Sequence, residues 1–419
     1  MVTSGKSKSK SIVFVSTYPP RECGLATFTE DLVKEISKLA LVQVGVIAVS
    51  TTEKYTNSLV KYKLQQNDRA SYFQTALWAN DHADLLVIEH EYGIFGGDCG
   101  EYILELARGL KIPFVVTTHT VLLEPSTKQR FILSQLGKMS TQVVTMAESS
   151  IPVLTETYGI AAEKITFIAH GVPPLSVKSR EKLKSDYGLQ NKQVISSFGL
   201  ISPAKGLEYG IEAVAKVVAK HDDLVYLILG KTHPCVKAKM GEHYRQTLVD
   251  LAKQLGVEEH IRFIDKYLTK KEVMTYLQFS DMYLTPYLSK EQAVSGTLAY
   301  AMGCGRVIIS TPYRYAQEML GGGRGLLADF RNADSIATCI QTVLSYPLQK
   351  QEMERRTMVV GRTMTWANVA QRYIELCLQL ITNQVEKTSI VREILTQTNY
   401  SVPQVPLAVM NRKGSSVIL

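Results

Sequence analysis

Short apolar runs recur along the chain. Each is followed by a polar or glycine-bearing loop and then by a stretch with helical spacing. The run Ile12 to Ser16 is continuously apolar and predicts a strand buried on both faces of a parallel sheet. Two prolines force the next segment into an extended loop. Gly24 then opens a helix in which Phe28, Leu32, Ile36 and Leu39 recur on one face. Further strands are predicted at 42–50, at Leu85 to Ile88 and in the segment ending at His119, and two more follow before Gly171. Between Thr51 and Ala70 the chain is polar and poorly periodic and reads as loop with little helix. The segment HGVPP, His170 to Pro174, looks like a domain exit.

The alternation then restarts. A strand from Val194 to Phe198 ends at Gly199. A loop carrying Pro203 and Lys205-Gly206 leads into a helix marked by Ile211, Val214, Val217 and Val218. The stretch from Tyr287 to Tyr313 contains a polar loop with Glu291, small residues at Ser295-Gly296-Thr297, a short helix from Leu298 to Met302, and a strand from Arg306 to Ser310. The last clear helical pattern covers Trp366 to Thr382, and beyond about Glu386 the periodicity is lost. Two runs of β–α units predict an α/β protein with two doubly wound, Rossmann-like domains facing across a cleft. The expected boundaries are 1–173 and 174–364, with a tail at 386–419.

Composition narrows the class. Hydrophobic residues make up 45% and charged residues 21%, as in ordinary globular proteins. No apolar run reaches the ~18–20 residues of a membrane span, and the basic N-terminus lacks a signal-peptide core, so a cytoplasmic chain is expected. Six scattered cysteines without a CxxC pair fit reduced thiols rather than a disulfide framework or zinc cage. The net charge of +8 fits anionic substrates, peripheral contact with an anionic membrane, or a plain solvated surface. No interleaving of arginine and aromatic residues points to nucleic acid.

Candidate chemistry lies at strand ends. Arg21 and Gly24, the Glu89–Glu91 segment with its following glycines, and His119 all fall at carboxyl ends of predicted strands, where open α/β sheets bind ligands. Helix-start N–H groups at Ser295 to Thr297 make an anion site, and Lys205 is a natural phosphate counter-charge. The pattern of a P-loop is absent. No Asp-x-Asp, HExxH or His/Cys cluster at metal spacing occurs, so no metal and no cofactor is expected.

Over most of residues 11 to 385 the chain resembles retaining glycosyltransferases of family 4, which have the GT-B fold. FGLISPAKGLEYGIEAV is similar to that family's donor-diphosphate loop G-R-x-x-x-x-K-G: Gly199, Lys205 and Gly206 match, and Leu200 replaces the arginine. AYAMGCGRVIIS resembles E-A-M-A-x-G-x-P-V-V, HGVPP resembles N-G-V-D, and the Gly24 loop resembles the family's Gly-Gly loop. The family's paired glutamates fall on Gln292 and Tyr300, with Glu291 one residue early. The second of that pair usually grips the nucleotide ribose, which Tyr300 cannot do as a carboxylate would.

The resemblance implies metal-independent transfer of a hexose from a nucleoside-diphosphate sugar to an acceptor hydroxyl with retention. The acceptor is a sugar, glycan or lipid-linked molecule. It implies catalytic roles for His119 and Glu291. Donor binding falls to Gly24, Gly199, Lys205, Val294, Ser295, Gly296 and Thr297, and acceptor or lid roles to Arg21, Glu89 and Glu91. The helix near 365–385 is expected to pack back on the N-terminal domain. The alternatives are an inactive nucleotide-sugar-binding protein and a nucleotide-sugar epimerase. Donor base, sugar, acceptor and oligomeric state stay open.

Overall fold

The computed structural model describes residues 9–175 and 178–397. Its first sheet contains β1 (Ser11–Ser16), β2 (Gln43–Ser50), β3 (Val60–Gln65), β4 (Leu85–His90), β5 (Phe114–Thr118), β6 (Gln142–Thr145) and β7 (Ile165–Phe167). Its second contains β8 (Gln193–Phe198), β9 (Leu224–Leu229), β10 (Ile261–Ile264), β11 (Met282–Thr285), β12 (Val307–Ser310) and β13 (Gly325–Leu327). The order is β3-β2-β1-β4-β5-β6-β7 in the first sheet and β10-β9-β8-β11-β12-β13 in the second, with every pairing parallel. Strand order reverses between β1 and β4 and again between β8 and β11. At such reversals the following connections leave on opposite faces and open a crevice at the carboxyl edge.

The central strands are apolar on both faces because helices cover both. Phe14, Val46 and Val87 pack with the Gly24–Lys38 helix on one side, while Val13, Ile47 and Ile88 pack with Tyr72 and Ile103 on the other. The second sheet divides its core in the same way, with Val225 and Leu227 on one face and Tyr226 and Ile228 on the other.

The long helix Trp366–Gln397 lies against the first sheet's layer. Trp366, Val369, Ala370, Tyr373 and Ile374 join the core formed by Phe14, Phe28 and Leu32. The crossing is fastened by two reciprocal bonds: Val172 N–H donates to Met364 O at 2.8 Å, and Trp366 N–H donates to Val172 O at 3.1 Å. Gly171 is required here, since a Cβ at that position would lie 2.1 Å from the Trp366 ring.

The structure corrects four readings. The stretch Thr51 to Ala70 is not mainly loop. It holds β3, an edge strand in which Val60, Tyr62 and Leu64 face inward and Lys61 and Lys63 face solvent, and the start of helix Arg69–His82, capped by Asp68. That helix has no apolar stripe to read, because it buries Ser71, Thr75, Ala76 and Ala79 beside Tyr72. The short helix after Glu291 starts at Gly296 rather than Leu298, since the Ser295 hydroxyl caps it. β12 starts at Val307, and Arg306 is instead turned to the Cys304 and Ser280 carbonyls. The last helix continues past 386 to Gln397, and the rest of the expected tail lies outside the described residues. Among the described residues no helix is long and apolar enough to cross a membrane.

Candidate functional site

The β8–β11 reversal is where the second sheet's chemistry gathers. Gly199 follows β8 with φ +133, a backbone conformation that side-chain-bearing residues rarely adopt. Lys205 ends a short turn, and Gly206 follows in the left-handed region. A Cβ on Gly206 would meet Pro286 O at 2.3 Å, so the lysine loop presses onto the chain leaving β11. Lys205 Nζ donates to the Tyr287 hydroxyl at 2.6 Å. That hydroxyl is 3.1 Å from Thr297 Oγ1, which is 3.0 Å from Ser295 Oγ. A Cβ built on Gly199 would lie 3.7 Å from Lys205 Nζ and 3.9 Å from Thr297 Cγ2. Gly199, Lys205, Ser295 and Thr297 therefore converge, and Tyr287 joins them. Lys205, Gly199 and Tyr287 also line a recess with Ser197, Tyr283 and Pro286.

Gly296 opens the helix Gly296–Gly303, whose first N–H groups have no partner within it. Its missing side chain admits His170, whose Nε2 would lie 3.0 Å from a Cβ at that position. The His170 Nδ1 is 2.8 Å from Gly171 O. Burial pushes the His170 pKa down to about 4, so the ring is neutral at pH 7. From the sequence His170 stands out only within HGVPP, as part of a domain exit and of the resemblance to N-G-V-D; its place at the end of the first β–α run was the available signal. Val294 is partly buried and packs against both sheets' cores rather than standing free in the recess.

The first sheet presents its β1–β4 edge opposite. Glu89 and His90 lie within β4, and Glu89 is fully buried. Glu89 Oε2 accepts from His119 Nε2 at 2.8 Å, which leaves Nδ1 as the remaining ring nitrogen. Phe28, on the helix that Gly24 begins, packs edge-on against His119 at 4.8 Å, His170 at 5.2 Å and Trp366 at 5.0 Å between ring centroids. A Cβ on Gly24 would touch nothing within 4 Å, so the helix start faces open space.

Other residues singled out from sequence are engaged elsewhere. Arg21 donates to Gln66 Oε1 at 2.9 Å and lies near Glu53. Glu91 accepts from the Thr120 hydroxyl. Glu291 Oε2 accepts from the Leu123 N–H at 2.9 Å and so reaches across to the first sheet's loops. Other links between the two layers are the ion pairs Glu22–Lys231 and Asp31–Lys270 and the Glu318 carboxylate on the Glu148 and Ser149 N–H groups. Among the described residues no three His, Cys, Asp or Glu side chains gather as a metal-ligating group. Asp265 pairs with Arg245. Asp281 sits at the opposite, amino-terminal edge of β11, paired with Lys184 and Lys350.

Residues 179–358 match the family model described as glycosyl transferases group 1. The chain is 23% identical over 312 residues to the D-inositol 3-phosphate glycosyltransferase of Corynebacterium glutamicum, an alignment covering 70% of this chain and 72% of that protein. Residues 179–358 form a glycosyl transferases group 1 domain, and the chain is a glycosyltransferase with the GT-B fold. Solved structures of this fold superpose over most of the glycosyltransferase. Anabaena HepE in complex with UDP and glucose gives a TM-score of 0.70 at 16% identity, over 88% of this chain and 100% of that one. Sucrose-phosphate synthase from Thermosynechococcus elongatus gives 0.72 at 14% identity, over 89% of this chain and 100% of that one.

Proposed function

We propose that this glycosyltransferase moves a hexose from a nucleoside-diphosphate sugar to an acceptor hydroxyl, with retention at the anomeric carbon and without a metal ion. The convergence of Lys205, Gly199 and the Ser295–Thr297 helix start at one strand-order reversal carries the reading. A cation and orphan N–H groups aimed at one point suit a diphosphate.

In the reaction the bond from the sugar C1 to the β-phosphate oxygen breaks. The acceptor oxygen bonds to C1 on the same face, and its proton passes to the departing phosphate oxygen. Charge grows on the leaving nucleoside diphosphate, where Lys205 and the helix-start N–H groups offset it. His119, held by Glu89, stands near the reacting carbon in this reading. Arg21, Gly24 and Glu91 face the acceptor or close over the donor. Glu291 takes sugar hydroxyls after giving up Leu123. The acceptor is a sugar, glycan or lipid-linked molecule met in the cytoplasm, with peripheral membrane contact where it is lipid-linked.

The test is nucleoside-diphosphate release with and without acceptor. Release that needs acceptor supports transfer. Binding without release would leave a nucleotide-sugar-binding protein, and a changed sugar without release would mean an epimerase.

A further inference from the structure

The loop that follows His119 borders a cavity that the diphosphate chemistry leaves unused. Leu123 of that loop forms one wall, and Lys290, Pro312, Arg314, Gln317 and Phe330 of the second layer form the rest. The cavity measures about 490 Å³, a size that suits a small organic molecule rather than a lone ion. It lies one strand beyond the Lys205 site. Pro312 and Arg314 follow β12, which pairs with β11, and Tyr287, just past β11, stacks on Tyr313 at 5.4 Å between ring centroids.

Two cations border this cavity, and the protein gives neither a counter-charge. Among the described residues neither Arg314 nor Lys290 forms an ion pair. Lys290 is exposed, with its Nζ 5.9 Å from the centroid of the Phe330 ring. Arg314 is partly exposed as a whole and forms part of the wall. Its Nη2 donates to Val121 O across the cleft, while its Nε and Nη1 are buried and donate to nothing. The acids nearby are engaged by the first layer. Glu291 accepts from the Leu123 N–H at 2.9 Å, and Glu318 accepts from the Glu148 and Ser149 N–H groups at 2.9 and 3.0 Å. Burial pushes the Arg314 pKa down, and Glu291, Tyr158 and Glu318 only partly oppose this. A half-buried guanidinium with unused donors is costly, and native structures keep few.

We propose that this cavity binds a phosphate group carried by the acceptor. Arg314 and Lys290 are its counter-charges, and Leu123, Pro312 and Phe330 pack on the acceptor's carbon skeleton. Two cations match a dianionic phosphate better than a carboxylate, and a guanidinium fork fits phosphate oxygens. Leu123 lies four residues after His119, so an acceptor held here sits against the loop that begins at the reacting carbon. The proposal rests on the transferase reading above and makes the acceptor an anion.

The test is titration calorimetry of the full chain with glucose, glucose 6-phosphate and inorganic phosphate, with and without a saturating nucleoside diphosphate (UDP, GDP or ADP, whichever binds). Glucose 6-phosphate is expected to bind about tenfold or more tightly than glucose, with inorganic phosphate competing. Vesicles of phosphatidylcholine with and without phosphatidic acid form a second arm. Stronger binding there assigns the phosphate to a lipid-linked acceptor, and stronger binding of glucose 6-phosphate assigns it to a soluble one. Lys290→Ala should weaken phosphate binding by about tenfold and Arg314→Gln by more, with nucleotide affinity unchanged in both. Displacement of the phosphate by nucleotide, or its loss in Lys205→Ala, would place it at the diphosphate site and overturn the proposal. So would phosphate probes that bind no better than glucose and uncharged vesicles, or unchanged phosphate affinity in both variants. An equal loss of nucleotide and phosphate binding in Arg314→Gln, with Lys290→Ala unaffected, would make Arg314 a clasp between the layers and also overturn it. In each case nucleotide binding by the unaltered protein leaves the functional reading standing. No binding of any nucleoside diphosphate would sink that reading, and the acceptor with it.

Discussion

Lys205 Nζ donates to the Tyr287 hydroxyl at 2.6 Å and lies 3.9 Å from the centroid of the same ring. Burial alone would raise the Tyr287 pKa, but the Lys205 charge and hydrogen bond outweigh it, and the phenol is held below its ordinary value. The tyrosine thus holds the ammonium in place beside the Ser295–Thr297 helix start, where a diphosphate would meet a fixed charge. Lys205→Ala should raise the nucleotide dissociation constant by roughly ten- to a hundredfold. Tyr287→Phe keeps the charge and loses only the tether, so its loss should be smaller. Calorimetric titration of both variants checks this, and unchanged affinity in folded Lys205→Ala would remove the lysine from the site.

Transfer is expected to proceed at close to full rate in excess EDTA. In the proposed reading, Lys205 and the helix-start N–H groups offset the charge of the leaving diphosphate without an ion. Asp265, just past the carboxyl end of β10, is committed to an ion pair with Arg245, and Asp281 lies at the opposite edge of the sheet, paired with Lys184 and Lys350. The measurement is initial rate with EDTA and with added Mg²⁺, together with the anomeric configuration of the product by NMR. Activity restored only by metal would show another means of stabilising the leaving group, and an inverted product would contradict retention.

Glu89 is buried, and one of its oxygens holds His119. Glu89→Gln keeps the volume but removes the charge that orients the ring. Turnover should fall by about tenfold or more while KM changes little, if the bond serves only to place His119. A rise in KM with turnover unchanged would assign Glu89 to substrate binding instead.

His90 is fully buried between Tyr92 and Phe95, and neither ring nitrogen has a hydrogen-bond partner. Burial pushes its pKa down to about 3 from an ordinary 6.5. Between those values the unfolded chain binds a proton that the folded chain does not. Stability contributed by the neutral ring is therefore complete above about pH 6.5 and is lost as pH falls toward 3, at about 1.4 kcal/mol per unit. His90→Phe should raise the melting temperature and flatten its decline in this window. Thermal melts at pH 4.5 and 7.5 give the comparison, and an unchanged slope would mean that other groups dominate acid unfolding.

The strand runs, the two runs of β–α units, the Lys205-Gly206 loop and the small-residue helix start were legible in the sequence because they are local. A continuous apolar run is buried on both faces wherever it folds, and a helix start leaves N–H groups unpaired in any context. The edge strand Val60–Gln65 and the helix Arg69–His82 were missed because their inward residues are few or small, and only the neighbouring layer makes those faces interior. Tyr287 on Lys205, His170 on Gly296 and Glu291 on Leu123 depend on the tertiary structure. Each joins residues brought together by the sheet order or by the meeting of the two layers. The direction of a side chain across a cleft is set by the packing of whole layers, which no local spacing encodes.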